Sequence, residues 1–128
     1  MILENGESLA YLGDSVYEVM IRKYLLEKNI FDVNTLHKQA VRYSSGKSQA
    51  LIIKKMLADN FLTEEEISYF KRGRNANHSA NRRQISVLEY KNATGFEAVI
   101  GYLELSGQRK RLDEVVSFAI NFVESEGI

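Results

Sequence analysis

The chain contains no cysteine, which excludes disulfide scaffolds, cysteine nucleophiles and thiolate metal sites. His37 and His78 are its only histidines, so a three-histidine zinc site is excluded as well. The longest apolar run, residues 98–103, is far shorter than the roughly 20 residues that a membrane-spanning helix needs. The acidic start, MILENGES, lacks the apolar core of a signal peptide. We therefore expect a cytoplasmic protein with no membrane partner.

Proline is also absent, although an average usage of about 5% would supply roughly six in a chain of this length. Proline interrupts helices, since it lacks the backbone N–H and clashes with the preceding turn, so its absence favours long helices. The 128 residues are 45% apolar and 27% charged, an ordinary globular composition for one domain. We predict a single all-α domain over residues 1–128, built from five to seven helices.

Apolar periodicity and capping residues predict where these helices lie. The predicted helices cover residues 8–27, from Asp32 or Asn34 to about 43, 47–58, 64–70, 85 or 87 to 105, and 112–123. The first is apolar on most sides, which indicates either a central helix or one shared with a partner chain. In the third, Leu51, Ile52 and Met56 are predicted to point inward. Thr63 and Glu66 have the spacing of a capping box, and residues 73–83 lack an apolar period and are predicted to form a loop.

The positive charges are concentrated in two stretches, although the chain has 17 basic and 17 acidic residues. Residues 33–58 and residues 67–88 each contain five basic residues and no acid, and the other 80 residues contain all 17 acids and 7 bases. Two interpretations remain open. The stretches are either ordinary solvated faces or, if they fold side by side, a surface that binds a polyanion such as nucleic acid.

Two acids stand in apolar surroundings where a carboxylate is costly unless it is hydrogen-bonded, paired or bound to a cation. Asp14 lies inside the first helix, and Glu97 lies in the most apolar window of the chain. Both are flanked by glycine and alanine, which allow two helices, or a helix and a phosphate backbone, to approach closely. The acids either converge on Mg²⁺ or Mn²⁺, since both ions prefer oxygen ligands, or bond separately to a helix end and an arginine. Glu18, one turn after Asp14, is a weaker ligand candidate.

Two segments resemble the motifs of a known family. Residues 9–18, LAYLGDSVYE, look like the signature helix of the ribonuclease III family, and residues 94–101, TGFEAVIG, look like its second catalytic motif. The whole chain is similar to the short Mini-ribonuclease III branch, which lacks a double-stranded-RNA-binding domain. The further segments that carry this likeness are His37-Lys38, residues 47–50, residues 63–66 and residues 71–76.

The chain departs from other ribonucleases III at two of four acidic positions. Ala10 stands where they have a glutamate four residues before the signature aspartate, and Thr94 stands where they have an aspartate three residues before the second glutamate. The resemblance therefore implies one firmly held Mg²⁺, with Mn²⁺ as a substitute. Asp14 and Glu97 would be its ligands and the catalytic residues, and water, substrate phosphate or Thr94 would complete the shell.

The resemblance implies an all-α homodimer that cleaves double-stranded RNA in the cytoplasm and leaves a 5′-phosphate and a 3′-hydroxyl. Its expected substrate is precursor 23S ribosomal RNA, with ribosomal protein L3 as a partner that shapes the duplex. The residues expected to contact RNA are Lys47, Lys71, Arg72, Arg74, Asn75, Arg82 and Arg83.

Two rival interpretations remain. One is a non-catalytic protein of the same fold that binds double-stranded RNA or the ribosome, which the residues at positions 10 and 94 favour. The other is a helical adaptor whose basic faces meet an acidic protein. Metal-dependent cleavage would distinguish the enzyme from the first rival, and RNA affinity at low salt would exclude the second.

Overall fold

The computed structural model describes residues 5–76 and 86–128, and these residues form α-helices joined by short turns. The helices in these two ranges are α1 (Gly6–Glu27), α2 (Val33–Ser44), α3 (Gly46–Ala58), α4 (Glu64–Arg74), α5 (Val87–Leu105) and α6 (Arg109–Glu126). The described residues contain no strand, so the prediction of an all-α fold with five to seven helices is confirmed. None of the helices in this part of the chain is long and apolar enough to cross a lipid bilayer.

Side chains at the starts of five helices accept hydrogen bonds from the N–H groups that a first turn leaves without a helical partner. These capping residues are Asn5, Asp32, Ser45, Thr63 and Ser86. Thr63 and Glu66 form the predicted capping box, and Asp32 rather than Asn34 caps α2. These five helices begin within two residues of the predicted positions, because the capping signals are local in the sequence.

Helix α5 is the centre of the fold. All eleven residues from Ala93 to Leu103 are buried, and α1, α3 and α4 pack against this helix. A helix that is apolar on every side requires neighbours on every side. The most apolar window of the sequence therefore becomes the helix around which the others assemble.

Helix α1 packs on α5 with one face only. The buried residues of α1 are Gly6, Leu9, Ala10, Gly13, Tyr17, Ile21 and Leu25, and among them Gly6 meets the end of α4. The Tyr17 ring packs edge-on against Phe96 with centroids 5.0 Å apart, and its hydroxyl donates to the Tyr43 carbonyl oxygen at 2.8 Å. Elsewhere on α1, Tyr11, Val19 and Leu26 are exposed. The central position that the sequence suggested for α1 thus belongs to α5.

Two glycines bring the backbones of α1 and α5 into contact. A Cβ added to Gly13 would lie 1.8 Å from the Glu97 carbonyl oxygen, and a Cβ added to Gly101 would lie 2.0 Å from the Leu9 carbonyl oxygen. No side chain fits at either position at this helix separation. The small residues near the two acids therefore produce a close helix–helix contact, one of the two alternatives expected from the sequence.

A buried ion pair connects α6 to the start of α4. Glu66 is 2% exposed, and its two carboxylate oxygens accept hydrogen bonds from Nε and Nη2 of Arg111 at 2.8 and 2.9 Å. The same Nη2 atom donates to the Phe61 carbonyl oxygen at 2.7 Å. Burial alone would raise the pKa of Glu66, but the hydrogen bonds from Arg111 and Thr63 hold that pKa below its ordinary value of 4.5. One arginine thus joins α6, the turn before α4 and the first turn of α4.

The predicted inward face of α3 is wrong at one position. Leu51 is 37% exposed, whereas Ile53 is buried beside Ile52 and Met56. The inward face also includes Gln49, which is one turn before Ile53 and is 1% exposed. Its side-chain amide donates to the Ser44 carbonyl oxygen at 3.1 Å, and that bond reduces the cost of burying it. A prediction from apolar residues alone omits Gln49. It therefore places the inward face too close to Leu51.

The contact at Gly13 leads to a prediction about stability. Gly13→Ala should lower the free energy of unfolding by about 3 kcal/mol, because the new methyl group forces α1 away from the Glu97 carbonyl. For a chain of this size that corresponds to a fall of roughly 10 °C in melting temperature, which thermal unfolding followed by circular dichroism would measure. Gly107→Ala is the matched control. Gly107 has φ +72°, and a Cβ added there would have nothing within 4 Å. The Gly107→Ala substitution should therefore cost only the roughly 1 kcal/mol of placing alanine in a left-handed conformation. Equal melting temperatures for the two variants would contradict the close helix contact.

The Glu66–Arg111 pair leads to a pH-dependent prediction. Glu66→Gln keeps the shape of the side chain but removes its charge, and it should cost about 2 kcal/mol at pH 7, the usual size of a hydrogen bond to a charged group. Because folding lowers the pKa of Glu66, the pair stabilises the fold above pH 4.5, and that stabilisation disappears as the pH falls through the folded value. Urea unfolding of both proteins at pH 7 and pH 3 should therefore show a difference that shrinks at acid pH. A difference that is constant with pH would mean that the carboxylate charge does not stabilise the fold.

Candidate active site

The contact between α1 and α5 places the two predicted acids on facing turns. Asp14 follows Gly13 directly, and Gly13 packs on the carbonyl oxygen of Glu97. The two acids are 83 positions apart in the sequence, but the helices that carry them touch at this point. The structure therefore brings the backbones of both candidate ligands together, as convergence on one cation requires.

The two carboxylates have different surroundings. Asp14 is exposed, and within residues 5–76 and 86–128 it forms no ion pair. Glu97 is 5% exposed and lies among the buried residues of α5. An ionised carboxylate at that depth requires compensation from hydrogen bonds, an ion pair or a cation. The site thus combines one carboxylate open to solvent with one held inside the protein.

The positions where the chain lacks family acids are also at this site. Thr94 lies one turn before Glu97, is 7% exposed, and donates its hydroxyl hydrogen to the Tyr90 carbonyl oxygen at 3.0 Å. That bond leaves the lone pairs of the hydroxyl oxygen, which can accept hydrogen bonds or coordinate a cation. Ala10 is 5% exposed, on the buried face of α1. Thr94 can therefore serve as a ligand through its oxygen, whereas Ala10 has no polar atom to offer.

The set of oxygen donors fits a hard divalent cation. Among the described residues, no group of three or more histidine, cysteine, aspartate and glutamate side chains could hold a metal ion. Asp14 and Glu97 would thus be a two-carboxylate set, and water or phosphate oxygens would fill the other positions. Mg²⁺ is commonly bound in this way, by one or two carboxylates together with water and substrate phosphates. Glu18, the weaker candidate, is paired with Arg22, with 2.8 Å between Oε1 and Nη2.

The carboxyl-terminal end of α4 lies against the turn of α5 that carries Thr94 and Ala98, next to Glu97. A Cβ added to Gly73 would lie 2.8 Å from the Thr94 carbonyl oxygen and 2.7 Å from the Ala98 Cβ. The last turn of α4 and the residue that follows contain Lys71, Arg72, Arg74 and Asn75. These residues, hereafter the basic end of α4, bring positive charge to the neighbourhood of the two acids.

The prediction that a loop begins at Gly73 is wrong. Gly73 and Arg74 complete the last turn of α4, and Gly73 is buried. The absence of a side chain at Gly73 serves close packing on α5 and gives no loop freedom. This packing holds the last turn of α4 in a helical conformation. The sequence did not predict a helix there, because residues 73–83 have no apolar period. Residues 77–83 of the predicted loop, which include His78, Arg82 and Arg83, lie outside the described residues.

The other basic stretch lies on a different part of the fold. Lys47 is exposed on the first turn of α3, and it forms no hydrogen bond or ion pair with Asp14 or Glu97. Helices α3 and α4 each pack on α5 rather than chiefly on each other. Among the described helices, it is the last turn of α4 that packs on the turn of α5 next to Glu97, through Gly73.

An aromatic residue that the sequence analysis did not single out supports the basic end of α4. The guanidinium carbon of Arg72 lies 4.7 Å from the centroid of the Tyr69 ring, and that of Arg74 lies 5.4 Å from the Phe70 ring. The spacing of three or four residues between a ring and an arginine was visible in the sequence. The contact that holds the Tyr69 ring comes from Tyr102 on α5, and the sequence does not show such a contact between separate helices.

Comparison with known proteins identifies relatives over most of the chain. The ribonuclease III domain family matches residues 7–108. A Mini-ribonuclease 3 of Enterococcus faecalis is 44% identical over 119 residues, which are 93% of this chain and 90% of that protein. A Mini-ribonuclease 3 of Streptococcus pneumoniae is 43% identical over 122 residues, or 95% of each chain. A crystal structure of a protein from Fusobacterium nucleatum superposes with a TM-score of 0.82 at 36% identity, covering 91% of this chain and 93% of that one.

Proposed function

Because the chain belongs to the Mini-ribonuclease III branch of the ribonuclease III family, it is an endoribonuclease, and we propose that it hydrolyses double-stranded RNA with Asp14 and Glu97 as its catalytic carboxylates. The family is generally dependent on divalent metal ions, and we propose Mg²⁺ here, with Mn²⁺ as a substitute. The observation that carries this proposal is the backbone contact between Gly13 and Glu97, which puts both acids at one helix crossing.

The two carboxylates have separate tasks in this mechanism. Asp14, which solvent can reach, would bind the cation at the surface, and buried Glu97 would hold it from the side of α5. A cation held there would supply an activated water and offset charge on the scissile phosphate. Hydrolysis would join the water oxygen to phosphorus and break the bond from phosphorus to the 3′ oxygen. The leaving 3′ oxygen would take up the proton that the water loses, so the products would be a 5′-phosphate and a 3′-hydroxyl. Thr94 would complete the cation's shell or orient the water.

The basic end of α4 would hold the RNA backbone beside the acids. Duplex RNA is recognised mainly through its shape, its phosphates and its 2′-hydroxyls, because its major groove is too narrow for side chains to read. Arginine suits this task since its planar group can bond two phosphate oxygens at once. Lys71 and Asn75 would add single contacts. Lys47, Arg82 and Arg83 stay as predicted RNA contacts.

We propose that the active form is a homodimer whose two sites each cut one strand. The described part of the chain leaves large apolar side chains exposed on α1, on α2 and in the turn between them. These residues are Tyr11, Val19, Leu26, Phe31, Val33 and Val41. Leu26 and Val33 also line a cleft of about 210 Å³ between α1 and α2. Exposed apolar residues on neighbouring elements are typical of a protein interface, and a second copy would cover these.

The proposed substrate is the duplex that joins the two ends of precursor 23S ribosomal RNA, in the cytoplasm, with ribosomal protein L3 assisting by shaping that duplex. These assignments rest on the resemblance to the Mini-ribonuclease III branch. The second candidate function is non-catalytic binding of double-stranded RNA, which Ala10 and Thr94 favour because two acids of other ribonucleases III are absent. Cleavage of a duplex in Mg²⁺ that stops on addition of EDTA would exclude the second candidate.

The catalytic roles lead to a prediction about cleavage. Asp14→Asn and Glu97→Gln should each slow cleavage of an RNA duplex by about a thousandfold, since losing a cation ligand forfeits several kcal/mol of transition-state stabilisation. Duplex binding in EDTA should change little, because phosphate contacts to basic residues supply most of the affinity. Cleavage would be followed on denaturing gels. Asp113→Asn is the control, an exposed acid on α6 that pairs with Arg109. Cleavage at the normal rate in either test variant would remove that residue from the mechanism.

The basic end of α4 leads to a prediction about salt dependence. Changing Arg72 and Arg74 together to glutamine should weaken duplex binding and flatten the plot of log affinity against log salt by about two units, one for each lost phosphate contact. Fluorescence anisotropy across a salt series, in EDTA, would measure this. Lys110→Gln removes one exposed positive charge from α6 and serves as the control, with an expected slope like that of the unchanged protein. If the double variant keeps the original slope, these arginines do not contact phosphate.

A further inference from the structure

Two stacked rings and an arginine form a column of three side chains from the core to the basic end of α4. The rings of Tyr102 on α5 and Tyr69 on α4 are nearly parallel, with centroids 3.9 Å apart and an interplanar angle of 11°. Since Tyr102 covers one face of Tyr69, the Arg72 guanidinium, 4.7 Å from the Tyr69 centroid, lies over the other face. The column therefore runs from a buried ring through a half-buried ring to a surface arginine.

The inner end of the column is held rigidly. Tyr102 is 5% exposed, its hydroxyl donates to the Glu65 carboxylate, and it accepts a hydrogen bond from Nε2 of Gln108 at 3.1 Å. These bonds leave the Tyr102 ring little rotational freedom. Because the two rings lie face to face, Tyr69 takes its orientation from Tyr102.

The backbone beneath Arg72 is also fixed. A Cβ added to Gly6 on α1 would lie 2.3 Å from both the carbonyl carbon and the carbonyl oxygen of Arg72. The next residue, Gly73, is packed on the α5 turn beside Glu97. With the backbone clamped between α1 and α5, the orientation of the Arg72 side chain depends chiefly on what its own atoms contact, and the Tyr69 ring is one such contact.

We propose that Tyr69 is a positioning residue: it holds the Arg72 guanidinium over its ring, so that the N–H edge of the guanidinium faces the RNA phosphate beside the acids. Stacking covers the face of a guanidinium but leaves the N–H groups at its edge available for bidentate bonding. Holding the group in advance removes part of the rotamer entropy that an arginine loses on binding. This inference rests on the proposed function, namely that Arg72 contacts phosphate.

A double-mutant cycle in duplex affinity tests the inference. The probe is a synthetic RNA duplex in EDTA, with affinity measured across a salt series. Tyr69→Leu should weaken binding about threefold, the value of a cation–π contact at an exposed site, whereas Tyr69→Phe keeps the ring and should bind like the unchanged protein. In an Arg72→Ala background Tyr69→Leu should have no further effect, because residues that act through one contact are not additive. A purely structural role of Tyr69 would give the same loss in both backgrounds.

Arg72→Lys provides a second variant that does not depend on the folding of Tyr69→Leu. Lysine keeps the charge but lacks the planar group, so Arg72→Lys should lose about as much affinity as Tyr69→Leu, with the salt slope retained. If Arg72→Ala weakens binding while Tyr69→Leu and Arg72→Lys do not, the positioning role is wrong and the phosphate contact stands. If Arg72→Ala has no effect on affinity, Arg72 does not contact phosphate, and the positioning role fails with that contact. If the unchanged protein does not bind duplex RNA, the proposed function itself is wrong.

Discussion

Helices α1 and α5 cross with their backbones in contact, at a distance that only glycine permits at positions 13 and 101. The candidate site depends on this contact, because Asp14 is next to one glycine and the carbonyl of Glu97 packs on it. A similar contact at Gly73 places the basic end of α4 on the same turn of α5. Gly13, Gly101 and Gly73 thus position the two acids and the basic end of α4 relative to one another.

Folding also separates the charges of a chain whose net charge is zero. Glu97 is buried in the central helix, where water does not screen it, while Lys71 and Arg72 remain exposed at the end of α4. The two candidate carboxylates thus lie at a helix crossing that adjoins the basic end of α4. This juxtaposition suits the proposed phosphodiester hydrolysis, in which the substrate is an anion and the proposed cofactor is a cation.

The sequence predicts positions well wherever the signal is local. Thr63 caps α4 and Glu66 completes the box, because capping depends on residues three apart in the chain. Prediction fails where a partner helix decides the outcome. Gly73 reads as a loop residue, yet it is helical because it packs on Thr94, and Leu51 reads as a core residue, yet it is exposed. Neither contact can be inferred from periodicity within one helix.

By itself the sequence determined the all-α class and five of the helix starts, because caps and apolar periods depend on neighbouring residues. The family motifs, which are also local, predict Asp14 and Glu97 as the two site acids. It also predicts Lys71, Arg72, Arg74 and Asn75 as RNA contacts, and these residues form the basic end of α4. Only the tertiary structure decided that α5 rather than α1 is central, that α4 ends against Glu97's helix, and that Tyr69 stacks between Tyr102 and Arg72. The physical reason is that these three features depend on how the side chains of separate helices pack against one another. That packing involves residues far apart in the chain.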